Sequence, residues 1–165
     1  MLDYSKQADW PNDFGNHQSP IQINSKQTIK HDHQHLPVTF PGEYSVDQEY
    51  NDETTIRLTG DGYANLFNRP FNFQQVHFHS PAEHVIDEKE FPFEIHLVHQ
   101  NALGQIALVA LMVSIGEADP HLQSIIRHFD ADKVAALNVK ISDWLPHQAN
   151  GYHYLGSLTT PPLTE

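Results

Sequence analysis

His77 and His79 stand two apart in the segment Gln75-Val76-His77-Phe78-His79, and a third histidine follows in Glu94-Ile95-His96. In a β-strand, residues i and i+2 point to one face. His77 and His79 therefore project together, and Glu94 shares a face with His96. Three imidazoles from two rigid strands can hold a zinc ion and leave its fourth position open, which is the catalytic rather than the structural arrangement. Ligand histidines usually donate their second ring N–H to a carboxylate, carbonyl or amide oxygen. Gln75 and Glu94 each lie one face-step from a histidine. The competing reading is a set of strand histidines satisfied by ordinary hydrogen bonds, because pairs two apart arise by chance in a chain with 13 histidines.

The elements that must position these residues read mainly as strands. Ile21-Gln22-Ile23 is a short strand after Pro20, and Tyr44 to Tyr50 and Thr54 to Thr59 show β-type alternation. Gly60-Asp61-Gly62 signals a turn, with strand resuming from Tyr63 to Phe67. Phe71 to His79 carries the first two histidines, and Phe93 to His99 carries the third beyond a polar turn at Asp87-Glu88-Lys89-Glu90. The nearly continuous apolar run Ile106 to Ile115 predicts a central strand buried on both faces. One helix is predicted, capped by Asp119, with Pro120 in its first turn and a core stripe of Leu122, Ile125, Ile126 and Phe129. Residues 1–18 read as an irregular arm. The rest of the chain, through Trp144-Leu145-Pro146 to Thr164, reads as mostly loop with brief turns.

A chain of 165 residues suffices for one domain with a real core, and 39% hydrophobic residues is ordinary for a soluble protein. No apolar run is long enough to span a membrane. A net charge of −12 argues against nucleic-acid and anionic-membrane partners. The absence of cysteine excludes disulfides and thiolate metal sites. With no apolar signal region in Met1-Leu2-Asp3-Tyr4-Ser5-Lys6, the expected location is the cytoplasm; export is the alternative, since a removed signal leaves no trace.

Five blocks in order carry a resemblance. Gln18-Ser19-Pro20-Ile21-Gln22-Ile23, Gln75 to His79, Ser80-Pro81-Ala82-Glu83-His84, Glu94 to His99, and Gly156-Ser157-Leu158-Thr159-Thr160-Pro161-Pro162 together resemble the α-class carbonic anhydrases. The resemblance runs from about Trp10 to the last residue. It implies a mainly β fold around a central, mostly antiparallel twisted sheet with few short helices, formed by residues 1–165 as a single domain. It also implies a lyase that hydrates carbon dioxide reversibly to bicarbonate, by attack of a zinc-bound hydroxide. By that resemblance His77, His79 and His96 are the zinc ligands, and Gln75 and Glu94 orient them. Thr159 accepts a hydrogen bond from the hydroxide, and Glu83 fixes the direction of the Thr159 proton. Val98, Leu108 and Leu158 form the apolar wall for carbon dioxide, Thr160 lies beside it, and His84 and Tyr154 hold structural positions nearby.

Two departures from the family pattern stand out. A histidine that commonly shuttles protons is replaced here by Tyr63, and a phenol with its ordinary pKa near 10 is poorly placed for that task at neutral pH. The chain also stops at Glu165, where family members normally continue through several more strands. Without them, sheet edges and apolar surface are exposed, and a homo-oligomer through those edges is one expectation. The alternative to an active enzyme is a catalytically impaired or silent zinc-binding fragment.

His31-Asp32-His33-Gln34-His35 places three histidines on one face if extended, but no rigid scaffold supports them, so a solvated loop is the expectation. Ser19 and Ser157 lack the G-x-S-x-G elbow of a serine hydrolase.

Overall fold

The computed structural model describes residues 10, 15–32, 37–147 and 150–165. Their strands are β1 (Gln22–Ile23), β2 (Val38–Thr39), β3 (Ser45–Asn51), β4 (Ile56–Asp61), β5 (Tyr63–Leu66), β6 (Arg69–His79), β7 (Val85–Ile86), β8 (Phe93–Gln100), β9 (Ile106–Val113) and β10 (Ala135–Lys140). One α-helix, α1, spans Pro120–His128, and 3-10 turns cover Ser25–Gln27 and Ser142–Trp144. The protein is mainly β, as expected. Eight strands form one sheet in which every pairing is antiparallel, and β1 and β7 pair separately in parallel. No helix among the described residues is long and apolar enough to cross a membrane.

Strand β6 is the axis of the sheet. It pairs with β5 along Arg69–Asn72 and with β4 along Gln75–His77, while β8 covers its other edge. A register shift between Phe73 and Gln75 marks an irregularity in the ladder. Before it, Phe71 and Phe73 face the core; after it, Val76 and Phe78 do. An extra residue of this kind moves later side chains to the opposite face. Gln75, His77 and His79 consequently turn away from the core together.

The core face gathers Tyr44, Val46, Leu58, Phe73, Val76, Ile95 and Leu97, closed over by Ile125 of α1 and by Val139, Ile141 and Leu145. Burial of a side chain such as Leu97 contributes about 1.5–3 kcal/mol. Asp119 caps α1 by accepting from the Leu122 N–H at 2.7 Å. Its apolar stripe is narrower than predicted, since Ile125 is buried but Ile126 is exposed.

Two expectations are corrected. The run from Ile106 was read as a central strand buried on both faces, but β9 pairs only with β8 among the described residues. Ile106 and Ile115 are exposed, and none of the β9 residues is fully buried. Apolar composition reports a preference for burial, not the number of neighbours a strand finds. The segment after the helix was read as loop, yet β10 pairs with β3 and places Val139 in the core; the alternation of Leu137 and Val139 with polar residues was the available signal. The expected arm falls mostly at residues 1–9 and 11–14, and His33 and His35 at 33–36; these lie outside the described residues.

Candidate metal centre

The ladder between β6 and β8 sets His77 directly opposite His96, His79 opposite Glu94, and Gln75 opposite Val98. Directly paired residues share a face, so the site side chains of both strands converge on one side. The ring centroids of His77 and His79 lie 5.1 Å apart, those of His77 and His96 5.1 Å, and those of His79 and His96 4.5 Å. One ring nitrogen from each falls within 4.8 Å of the others.

Hydrogen bonds decide which nitrogen each ring presents. His77 Nδ1 lies 2.9 Å from the Gln75 side-chain oxygen, an acceptor, so that nitrogen carries the proton and Nε2 keeps a lone pair. His96 Nε2 lies 2.5 Å from Glu94 Oε1, which leaves His96 Nδ1 buried without a partner. His79 Nε2 is likewise buried and unpartnered, while its Nδ1 sits 3.4 Å from Glu83 Oε1. Buried polar atoms are nearly always paired; two unpartnered ring nitrogens converging in one cluster fit a pair of metal ligands. Burial and the neighbouring imidazoles lower the pKa of His77 to about 3 and of His79 to about 4. Both rings are thus neutral near pH 7, the form a metal requires.

Glu94 is the hub beneath the cluster. Its Oε2 accepts from the backbone N–H groups of Glu83 at 2.8 Å and His84 at 2.9 Å, and its Oε1 meets the rings of His84 at 2.6 Å and His96 at 2.5 Å. Burial pushes this carboxyl up, but the hydrogen bonds from His84 and His96 outweigh it and hold Glu94 well below the usual carboxylate range. His84, Glu94 and His96 also form a triad with metal-ligating atoms in mutual reach. Their separations are those of hydrogen bonds already made, so the cluster of His77, His79 and His96 is the one suited to an ion.

Glu83 receives a hydrogen bond from Thr159, and burial, the larger influence, raises its pKa against that bond. Leu158 and Thr160 flank Thr159 in a segment turned by Leu158 N–H to Thr164 and Leu163 N–H to Thr160 carbonyl bonds. Val98 stands opposite Leu108 across β8 and β9, in the row that contains Gln75. Leu108 is 38% exposed, so the expected wall is open on that side. Tyr63 sits opposite Asn72, on the face away from buried Ala64 and Leu66 and therefore on the histidine side, 37% exposed at the rim. His99, to which the sequence reading assigned nothing, faces the core instead. Its Nε2 is 3.0 Å from Tyr44 Oη, and burial lowers its pKa to about 4.

Residues 5–165 match the model of the eukaryotic-type carbonic anhydrase family. The chain is 36% identical to a carbonic anhydrase of Pectobacterium atrosepticum over 157 residues, covering 92% of this chain and 63% of the relative. Among solved structures, the α-carbonic anhydrase of Thermovibrio ammonificans in complex with the inhibitor sulfanilamide superposes with a TM-score of 0.82 at 31% identity, over 90% of this chain and 67% of that one. Dioscorin complexed with ascorbate superposes with a TM-score of 0.78 at 26% identity, over 91% and 66%. The chain belongs to the carbonic anhydrase family. It spans 63% of the length of the Pectobacterium relative.

Proposed function

We propose that this chain carries a zinc centre for the interconversion of carbon dioxide and bicarbonate, with His77, His79 and His96 as the ligands. The observation that carries this reading is the pair of buried, unpartnered nitrogens, His79 Nε2 and His96 Nδ1, in reach of a nitrogen of His77. Zinc, when bound, supplies a Lewis acid that brings the pKa of a coordinated water to about 7, carbonic anhydrase being the standard example.

The chain's own residues do the rest. Gln75 and Glu94 hold the rings of His77 and His96 by their outer nitrogens. Glu83, acceptor-only when ionised, draws the Thr159 proton toward itself, so the Thr159 oxygen is left to accept from an O–H on the reacting side. That fixes the orientation of the attacking oxygen. Val98, Leu108 and Leu158 offer an apolar surface suited to carbon dioxide, which has no charge and little hydrogen-bonding power. Thr160 lies beside them. Tyr63 holds the position from which protons would leave.

The test is stopped-flow carbon dioxide hydration by the zinc-loaded chain beside His96→Ala. Turnover that disappears in the variant supports the reading, and a zinc-loaded chain without turnover overturns it. The second reading is a chain that keeps the ion and turns over poorly; the solvent-open side at Leu108 favours it.

A further inference from the structure

Of the two long edges of the eight-stranded sheet, one is guarded and one is open. At the β10 edge the ladder to β3 shifts between Ala136 and Val139. Lys133 stands just before that strand, and Lys140 ends it, 2.7 Å from Glu43. Ladder irregularities and lysines keep a free edge from pairing with another chain. The β9 edge has neither. Its ladder to β8 runs without a shift from the Phe93–Val113 pair to the Gln100–Ile106 pair. Among the described residues β9 pairs only with β8, and no backbone hydrogen bond outside the ladders reaches residues 106–113. Its outer side therefore offers a row of unpaired N–H and C=O groups, the template for strand addition.

Charge narrows the occupant. Residues 101–116 contain no charged side chain, in a chain whose net charge is −12. Two copies repel as wholes, yet at β9 each presents a neutral strip, so pairing there brings no like charges into contact. A charged segment of another protein would find no counter-charge on that strip.

The strand also matches itself. In an antiparallel pair, directly opposed residues share a face, so a two-fold axis perpendicular to the sheet must pass through a residue of β9. An axis at Ala110 sets Leu108 opposite Met112 on the histidine side, and Val109 opposite Leu111 on the core side, with the small Ala110 side chains meeting at the centre. The core-side row of Val109, Leu111 and Val113 packs on the core without full burial, and Leu108 is exposed. A further strand would remove both rows from water. Because each copy uses the same edge, the contact closes at two chains.

We infer that β9 is a homodimer edge: two copies of this chain join antiparallel about Ala110 into one continuous sheet. The exposed side of Leu108 then ends against Met112 of the partner subunit, which closes the apolar surface beside the histidines.

The test uses the full chain. Sedimentation velocity over a range of concentrations is expected to show a species of two 18.8 kDa chains that dissociates on dilution. Leu108→Lys should abolish it, by placing a charge against the partner's apolar row. A second variant decides the matter if that one does not fold. The chain has no cysteine, and opposed residues in an antiparallel pair have Cα atoms about 4.5–5.5 Å apart, within disulfide reach. Ala110→Cys is therefore expected to form an intermolecular disulfide under mild oxidation, and Ala102→Cys, in the exposed β8–β9 turn, to form none. A chain that is monomeric at every concentration overturns the proposal. So does a dimer that Leu108→Lys leaves intact, or one in which Ala110→Cys cross-links no better than Ala102→Cys.

Discussion

His77 and His96 face each other directly across the β6–β8 ladder, yet they present different nitrogens, Nε2 from the first and Nδ1 from the second. The difference arises because Gln75 holds one ring by Nδ1 and Glu94 holds the other by Nε2. The site thus depends on all three rings at once. Removing zinc with a chelator is expected to abolish carbon dioxide hydration, and adding zinc back to restore it. His96→Ala should weaken zinc binding by more than the roughly 100-fold that loss of an outer partner costs, as titration against a competing chelator would show. A variant that binds zinc as tightly as the unmodified chain would remove His96 from the ligand set.

Much of this centre is legible in the sequence, because period-two alternation alone puts His77 with His79 and Glu94 with His96. The register that sets His77 against His96 was not legible, since it depends on the irregularity between Phe73 and Gln75, a backbone event with no side-chain signature. The edge position of β9 was missed for a related reason: Ile106 to Val113 is apolar enough for a central strand whether or not a second neighbour is present. The contact between Ser19 and Ser157 was hidden by distance, the two being 138 apart in sequence. His84 and Tyr154 came from the resemblance, and the fold joins them to Glu94 through the two ring nitrogens of His84.

Thr159 and Glu83 are expected to behave as one unit. Glu83→Gln substitutes an amide that can donate as well as accept, so the Thr159 proton loses its fixed direction. Misplacing a reacting group costs about 100-fold in rate, and that is the expected fall in kcat/KM with zinc content unchanged. Thr159→Ala should cost a similar factor, and the double variant little more than either, because the two changes remove the same interaction. Additive losses in that cycle would separate the residues.

Glu49 makes a different prediction, about stability. It is fully buried on β3 between Leu58 and Ala135, and neither carboxylate oxygen has a hydrogen-bond partner among the described residues. Burial pushes its pKa up, against a smaller opposing influence from His128. A folded-state pKa above the unfolded one gives stability that is present below the unfolded value and lost as pH rises through the folded value. Glu49 therefore weakens the fold at neutral pH. Glu49→Met should raise the unfolding free energy near pH 7 by about 1–3 kcal/mol, with the gain shrinking as the pH falls toward about 4. Urea melts at the two pH values check this, and a gain independent of pH would show that the Glu49 pKa is the same in the folded and unfolded protein.

Tyr63 bears on how protons leave. It sits on the histidine side of the sheet and is partly open to solvent, so a group there can exchange with both the site and bulk water. A phenol is a far weaker acid than an imidazole, and only the imidazole is matched to proton release near pH 7. With no imidazole at position 63, proton export is expected to rely on buffer, and turnover should rise with buffer concentration. Tyr63→His is expected to raise kcat in dilute buffer by about 10-fold or more, within the roughly 10²–10⁴-fold range of positioned proton transfer. It should leave kcat/KM unchanged, because proton export follows the chemical step. The two proteins should converge in concentrated imidazole buffer, where the external carrier does the same work. An unmodified chain indifferent to buffer, or a variant no faster in dilute buffer, would place the exit elsewhere.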